Sequence, residues 1–119
     1  MLPAAARLRR REDFRTTLRH GRRTTRGCLA LALLSAEDEG RAAEASPLVG
    51  LVVGRGVGGA VTRNLVSRRL RHLVRPRLAE LPPGSRLVVR ALPTAGGASH
   101  ATLQRDLDAA LKRLVPASP

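Results

Sequence analysis

The residues of this chain that could do chemistry are arginines. Asn64, Arg68, Arg71 and Arg75 recur at i, i+4, i+7 and i+11, which puts them on one stripe of a helix with 3.6 residues per turn. Arg63 and Arg69 flank the stripe, and Arg55 sits in the glycine run just before it. A guanidinium is a planar fork that bonds two phosphate oxygens at once. No acid occurs between Arg55 and Arg77, whereas a solvated basic face ordinarily carries carboxylates paired along the helix. The expected chemistry is therefore the binding of a polyanion. Asn64 both accepts and donates, which suits a base edge or a 2′-hydroxyl, and equally a cap or a packing role.

Other chemistries find little support. His20, His72 and His100 are scattered, and the acids form no set with metal-ligand spacing, which argues against an independent protein nuclease. Cys28 is alone, so there is no disulfide framework or thiolate cluster, and it reads as a small buried hydrophobe. Gly54-Arg55-Gly56-Val57-Gly58-Gly59 formally satisfies the dinucleotide fingerprint between a strand and a helix. That site also needs an acid at the end of the next strand, and the run at 86–92 has none. No nucleotide cofactor is expected. The turn reads either as a plain tight turn or as an anion seat, since free N–H groups at a helix start favour a phosphate.

These residues need elements to hold them. An apolar run at 48–53 predicts a strand, and a helix is expected from 60 to about 75 with Val66, Leu70, Leu73 and Val74 on its core side. Pro76 argues for a stop or kink. Upstream, 11–21 predicts a short helix with Phe14 and Leu18 on one face, acids in its first turn and Gly21 at a left-handed stop. The run 27–34 is expected to be a strand pairing with 48–53, with a short extra strand near 22–25. Downstream, 86–92 predicts a strand and 94–98 a flexible connection. Ser99 is placed to cap a last helix from 100 to about 115, with Leu103, Leu107, Ala110, Leu111 and Leu114 facing inward.

Composition sets the scale. The 119 residues suit one domain, 1–119. Residues 36–47 hold four of the nine acids and read as a flexible acidic loop, and 116–119 as a frayed tail. Net charge is +13, with Lys112 the only Lys, so nucleic acid is the first candidate partner. Phe14 is the only aromatic residue, which removes most of the stacking platforms of a single-strand binder. No segment approaches the length of a membrane span, and the N-terminus lacks the apolar core of a signal peptide. A cytoplasmic location is expected.

The stretch Gly58-Gly59-Ala60-Val61-Thr62-Arg63-Asn64-Leu65-Val66-Ser67-Arg68-Arg69-Leu70-Arg71 resembles the G-N-A-V-x-R-N-R-x-K-R-x-x-R pattern of the bacterial ribonuclease P protein subunit family. Arg7-Leu8-Arg9, Glu12-Asp13-Phe14 and Arg19-His20-Gly21-Arg22 resemble its start, and Leu87-Val88-Val89-Arg90-Ala91 with the closing helix its end. The likeness runs in order over nearly the whole chain.

The resemblance implies an α/β (α+β) fold: a small central sheet with three helices, like a ribosomal-protein domain, with a left-handed βαβ crossover. It implies a protein that assists the Mg²⁺-dependent removal of the 5′ leader from precursor tRNA, the hydrolysis being done by a catalytic RNA subunit that holds most of the metal. The protein would be a monomer in a 1:1 complex with that RNA. Arg63, Asn64, Arg68 and Arg71 would contact the catalytic RNA, joined by Arg55, Arg69 and Arg75. Phe14, Arg15, Leu18 and Leu31 would line a leader cleft between the first helix and the sheet. No residue of the protein is assigned a catalytic role. Leu65, Ser67 and Gly59 replace the family's usual Arg, Lys and Asn, Gly56 replaces a common basic residue, and Leu18 and Leu31 stand where the family has aromatics. A non-catalytic RNA-binding protein of ribosomal or assembly type is the alternative. A helix-turn-helix DNA binder is weaker, because a strand precedes the basic helix.

Overall fold

The computed structural model describes residues 6–36 and 46–115. The elements run α1 (Arg11–His20), β1 (Arg22–Arg26), β2 (Leu29–Leu34), β3 (Leu48–Val52), α2 (Ala60–Val74), β4 (Arg86–Ala91) and α3 (His100–Leu114). Short 3₁₀ turns at Arg55–Val57, Arg75–Glu80 and Pro93–Gly97 connect them. Most of the expected acidic loop, and the tail at 116–119, lie outside the described residues.

The four strands form one sheet in the order β1-β2-β4-β3. β1 and β2 are an antiparallel hairpin, β2 and β4 are antiparallel, and β3 and β4 are parallel. The expectation that 27–34 pairs with 48–53 is therefore corrected: β4 lies between them. Parallel neighbours need a crossover element, and α2 supplies it between β3 and β4.

Alternation assigns the two faces of the sheet. Leu31, Val89 and Leu51 share one row, and Leu33, Leu87 and Val49 the next. This face packs on Val66, Leu70, Leu73 and Val74 of α2 and on Leu103, Leu107, Ala110, Leu111 and Leu114 of α3. The core is aliphatic, as the composition requires. On the opposite face the row Arg23, Ala32, Val88, Gly50 runs beneath α1. Ala32 and Val88 are buried there. A Cβ built on Gly50 would collide with the Phe14 ring. The missing side chain lets that ring lie on the sheet. Asp13 pairs with Arg86 at 3.0 Å and ties α1 to β4.

Local expectations were changed by these contacts. Gly21 is extended (φ −72°), not left-handed, and its N–H donates to Thr17 O at 2.9 Å. A Cβ there would strike the carbonyls of Thr17 and Leu33, so glycine is needed for space as the chain turns into β1. The strand expected from 27 begins at Leu29, because Gly27 (φ 55°) and Cys28 form the hairpin turn. The short strand near 22–25 is the five-residue β1. Residues 93–97 form a 3₁₀ turn with Ala95 fully buried, not a flexible connection. Pro76 ends α2, and the chain continues as a 3₁₀ turn.

Candidate nucleic-acid interface

α2 begins without a side-chain cap. Its N-cap is Gly59, and no acid lies in its first turn. The first backbone N–H groups of a helix have no partner inside it, and the positive end of the dipole lies there. Gly58 holds φ 153° in the approach, a value glycine adopts readily. Arg55 is exposed in the preceding turn. The glycine run thus leads into an uncapped helix start with no acid in its first turn and a neighbouring exposed guanidinium, a geometry compatible with either a plain tight turn or an anion seat.

Along α2 the sequence-derived stripe is divided. Asn64, Arg68 and Arg75 are exposed. Arg71 is half-buried and lines a small hollow of about 230 Å³ with Ser67, Arg7 and Phe14. It leans toward the β3 edge and α1. Arg63 is half-buried, and its buried Nε lacks a hydrogen-bond partner. None of Arg55, Arg63, Asn64, Arg68, Arg71 and Arg75 pairs with a carboxylate among the described residues. Arg69 departs from expectation. It is half-buried and donates from Nη1 to the Ala98 carbonyl at 3.2 Å, fastening α2 to the start of α3. That guanidinium is partly committed to the fold.

The α1 groove is also redistributed. Phe14, Arg15 and Leu18 border a shallow depression of about 690 Å³ together with Arg11, Arg19 and Arg23. Leu18 also borders a second hollow of about 280 Å³ with Val52, Arg90 and Pro93. Leu31 does not belong here: it is 2% exposed and packs in the core beneath α2 and α3. A shift of one residue along a strand moves a side chain to the other face. The β2 positions on the α1 side are Ala30, Ala32 and Leu34, and none of them borders the depression. Arg11, Arg19 and Arg23 were missed as groove residues. The signal was present in the i, i+4, i+8 spacing of Arg11, Arg15 and Arg19, but Arg23 reaches α1 only through the hairpin register.

Cys28 is buried as expected, but it is not merely apolar filling. Its N–H and Sγ both lie on Asp106 Oδ2, at 3.0 and 3.1 Å. Burial, with the Asp106 hydrogen bond and charge, pushes the thiol up to about 11. For Asp106, burial raises the carboxyl, but hydrogen bonds from Cys28 and the Arg105 charge outweigh it and hold it below its ordinary value. This pair pins the β1–β2 turn to α3. Among the described residues no three His, Cys, Asp or Glu side chains converge to hold a metal. No helix among the described residues is long and apolar enough to cross a membrane.

Fold and surface define a small α+β protein whose sheet carries one arginine-rich helix and one basic groove. The family model for ribonuclease P matches residues 2–115, and the chain belongs to that family. It is 58% identical over 118 residues to the ribonuclease P protein component of Streptomyces griseus, covering 97% of this chain and 96% of that one. It is 51% identical over 114 residues to that of Acidothermus cellulolyticus, covering 96% and 92%. The fold matches the RNase P protein of Staphylococcus aureus with a TM-score of 0.79 at 18% identity, over 93% of this chain and 98% of that one. It matches the RNase P protein of Thermotoga maritima with a TM-score of 0.72 at 22% identity, over 95% and 98%. The family is that of the protein component of an endoribonuclease, a Mg²⁺-dependent ribonucleoprotein that removes the tRNA 5′ leader. The ribosomal or assembly-protein alternative is not favoured.

Proposed function

We propose that this chain serves ribonuclease P through two separate surfaces. Arg55, Arg63, Asn64, Arg68, Arg71 and Arg75 bind the catalytic RNA, and Phe14, Arg15 and Leu18 bind the 5′ leader of precursor tRNA. The arginine face carries this reading: its guanidinium groups have no carboxylate partners among the described residues, and they follow an uncapped helix start. A structured RNA supplies the phosphates such a face lacks. The Mg²⁺ ions are held mainly by the RNA. Within the protein the side chains bind and orient; they transfer no proton. The protein works as a monomer, 1:1 with the RNA, in the cytoplasm.

Reconstitution with the catalytic RNA of the same cell tests this. Protein alone leaves precursor tRNA intact, and protein added to the RNA lowers the Mg²⁺ needed for cleavage at the 5′ end. Cleavage by RNA-free protein, or an unchanged Mg²⁺ requirement, overturns the reading.

A further inference from the structure

β1 is an edge strand of the sheet, and its arginines are divided between the two faces. Arg23 lies on the α1 side, opposite Ala32. Arg22 and Arg26 stand opposite Leu33 and Leu29, which belong to the core under α2 and α3, so these two arginines lie on the α3 side. α3 packs along β1 and β2, and the contact of Asp106 with Cys28 fixes where it crosses the hairpin turn. Arg113 follows Asp106 by seven residues, about two turns further along the same side of α3. Arg105 precedes Asp106 directly. A seam between β1 and α3 is thus bordered by Arg22 and Arg26 from the strand and by Arg105 and Arg113 from the helix.

These cations are not spent on the fold. Arg22, Arg105 and Arg113 are exposed. Arg26 is half-buried, and its buried Nε lacks a hydrogen-bond partner. Among the described residues none of Arg22, Arg26 and Arg113 pairs with a carboxylate. The neighbouring acids are committed. Asp106 accepts from Cys28 and lies 3.5 Å from Arg105, whose side chain stays 75% exposed. Asp108 belongs to the other flank of α3, where it binds Arg77. Arg22 and Arg26 are about 13 Å apart along the strand, and Arg105 and Arg113 about 12 Å apart along the helix. Cations spread so far do not converge on one small anion; they suit the successive phosphates of a polymer. Beside Arg105 the seam opens into a shallow hollow of about 880 Å³ that Thr94 and Thr102 also line, and hydroxyls are further donors to a phosphate backbone.

The seam is separate from both surfaces described above. α2 crosses between β3 and β4, and β1 is the opposite edge of the sheet. The groove at α1 lies on the other sheet face. We propose that the β1–α3 seam is a second docking surface for the catalytic RNA, holding by its phosphates a segment different from the one at α2. The seam opens on the sheet face that carries α2, whereas the leader reading puts the substrate on the α1 face, so the catalytic RNA is the polyanion within reach. This rests on the reading of α2 and adds to it a second point of attachment, at the far edge of the sheet, that stops the RNA from pivoting about one helix.

The test uses the full chain and the catalytic RNA, with affinity titrated over a range of salt and backbone protection mapped by hydroxyl radicals. The seam variant is Arg22→Ala/Arg113→Ala, both at exposed positions, with Arg22→Lys/Arg113→Lys as the charge-preserving control and Arg68→Ala/Arg71→Ala as the comparison on α2. The seam variant is expected to keep its Tm, to lose about five- to tenfold in affinity, and to reduce the salt slope by about two units at most. It loses protection of one RNA segment, the α2 variant loses another, and the Lys variant restores most of the loss. Unchanged affinity, slope and protection in the seam variant, with the α2 variant weakened, overturn the seam and leave the α2 reading standing. Loss of the same segment in both variants overturns the claim of a second segment. A seam variant that binds the catalytic RNA normally but weakens precursor tRNA binding to the holoenzyme assigns the arginines to the substrate and overturns the proposal. An α2 variant with wild-type affinity, slope and protection overturns the α2 reading itself.

Discussion

α2 and α3 are both fifteen-residue helices packed on the same sheet face, yet they treat charge in opposite ways. α3 is closed on itself and its neighbours. Ser99 caps it, accepting from Thr102 N at 3.1 Å. Asp106 is engaged by Cys28, and Asp108 by Arg77 at 2.5 and 3.1 Å. That contact raises the Arg77 pKa above its ordinary value, the hydrogen bond to Asp108 being the main cause. α2 has no side-chain cap and no acid, and its exposed arginines are unpaired among the described residues. The same core-facing pattern thus supports two different outer surfaces. One helix spends its carboxylates on the fold, and the other, Arg69 apart, leaves its guanidinium groups without a carboxylate among the described residues.

Several substitutions would break or sharpen this contrast. The core sides should be equivalent: Leu70→Ala and Leu107→Ala, both at fully buried positions, each cost about 2–5 kcal/mol in denaturant unfolding. A cost confined to one helix would mean that the two do not share a core.

Asp106→Ala strands the Cys28 N–H and costs about 1–3 kcal/mol, whereas Asp106→Asn, which keeps an acceptor, costs less. Equal losses would assign the effect to charge and not to the hydrogen bond. The pH dependence follows from the same pair. Asp106 is depressed in the folded state. Its contribution is complete above the unfolded value of about 3.9 and fades as the pH falls through its lower folded value. Cys28 is raised to about 11. Its contribution is complete below the unfolded value of about 8.5 and is lost as the pH rises through the folded value. Thermal melts of the wild type should weaken on the alkaline side more than those of Cys28→Ala.

On α2 the readout changes from stability to binding. Arg68→Ala/Arg71→Ala should weaken binding to the catalytic RNA and flatten its salt dependence by about two units of slope at most, with Tm nearly unchanged. An unaltered slope removes both residues from the interface.

The smallest effect is expected at the helix start. Gly59 has φ −71° and open space around its Cβ position, so Gly59→Asp can install a cap. It should stabilise the protein by about a few tenths of a kcal/mol while weakening RNA binding, because it occupies the N–H groups and adds a negative charge. Tighter RNA binding would show that the bare start is not used.

Much of this was legible in the chain. The core residues of α2 and α3 announced themselves by period, Ser99 by its position before an apolar-periodic run, and the arginine stripe by the absence of acids. Those signals are local: each depends on residues within a few turns of one another. The family likeness came from the same local patterns read in order.

Other features depended on which elements meet. The sequence could place Leu31 in a strand but not on a face, and β4, inserted between β2 and β3, turned it toward the core. Arg69 looked like one more free cation until the start of α3 brought the Ala98 carbonyl beside it. Gly21 read as a stop signal, yet it and Gly50 are spaces left for backbone and ring. Cys28 and Asp106, 78 residues apart, carried no sequence sign of their pairing. Short-range periodicity fixes which residues are apolar, basic or capping, because it depends on the pitch of one helix or the pleat of one strand. Strand order and register decide which of them are buried, paired or free, because those follow from the packing of elements distant in the chain.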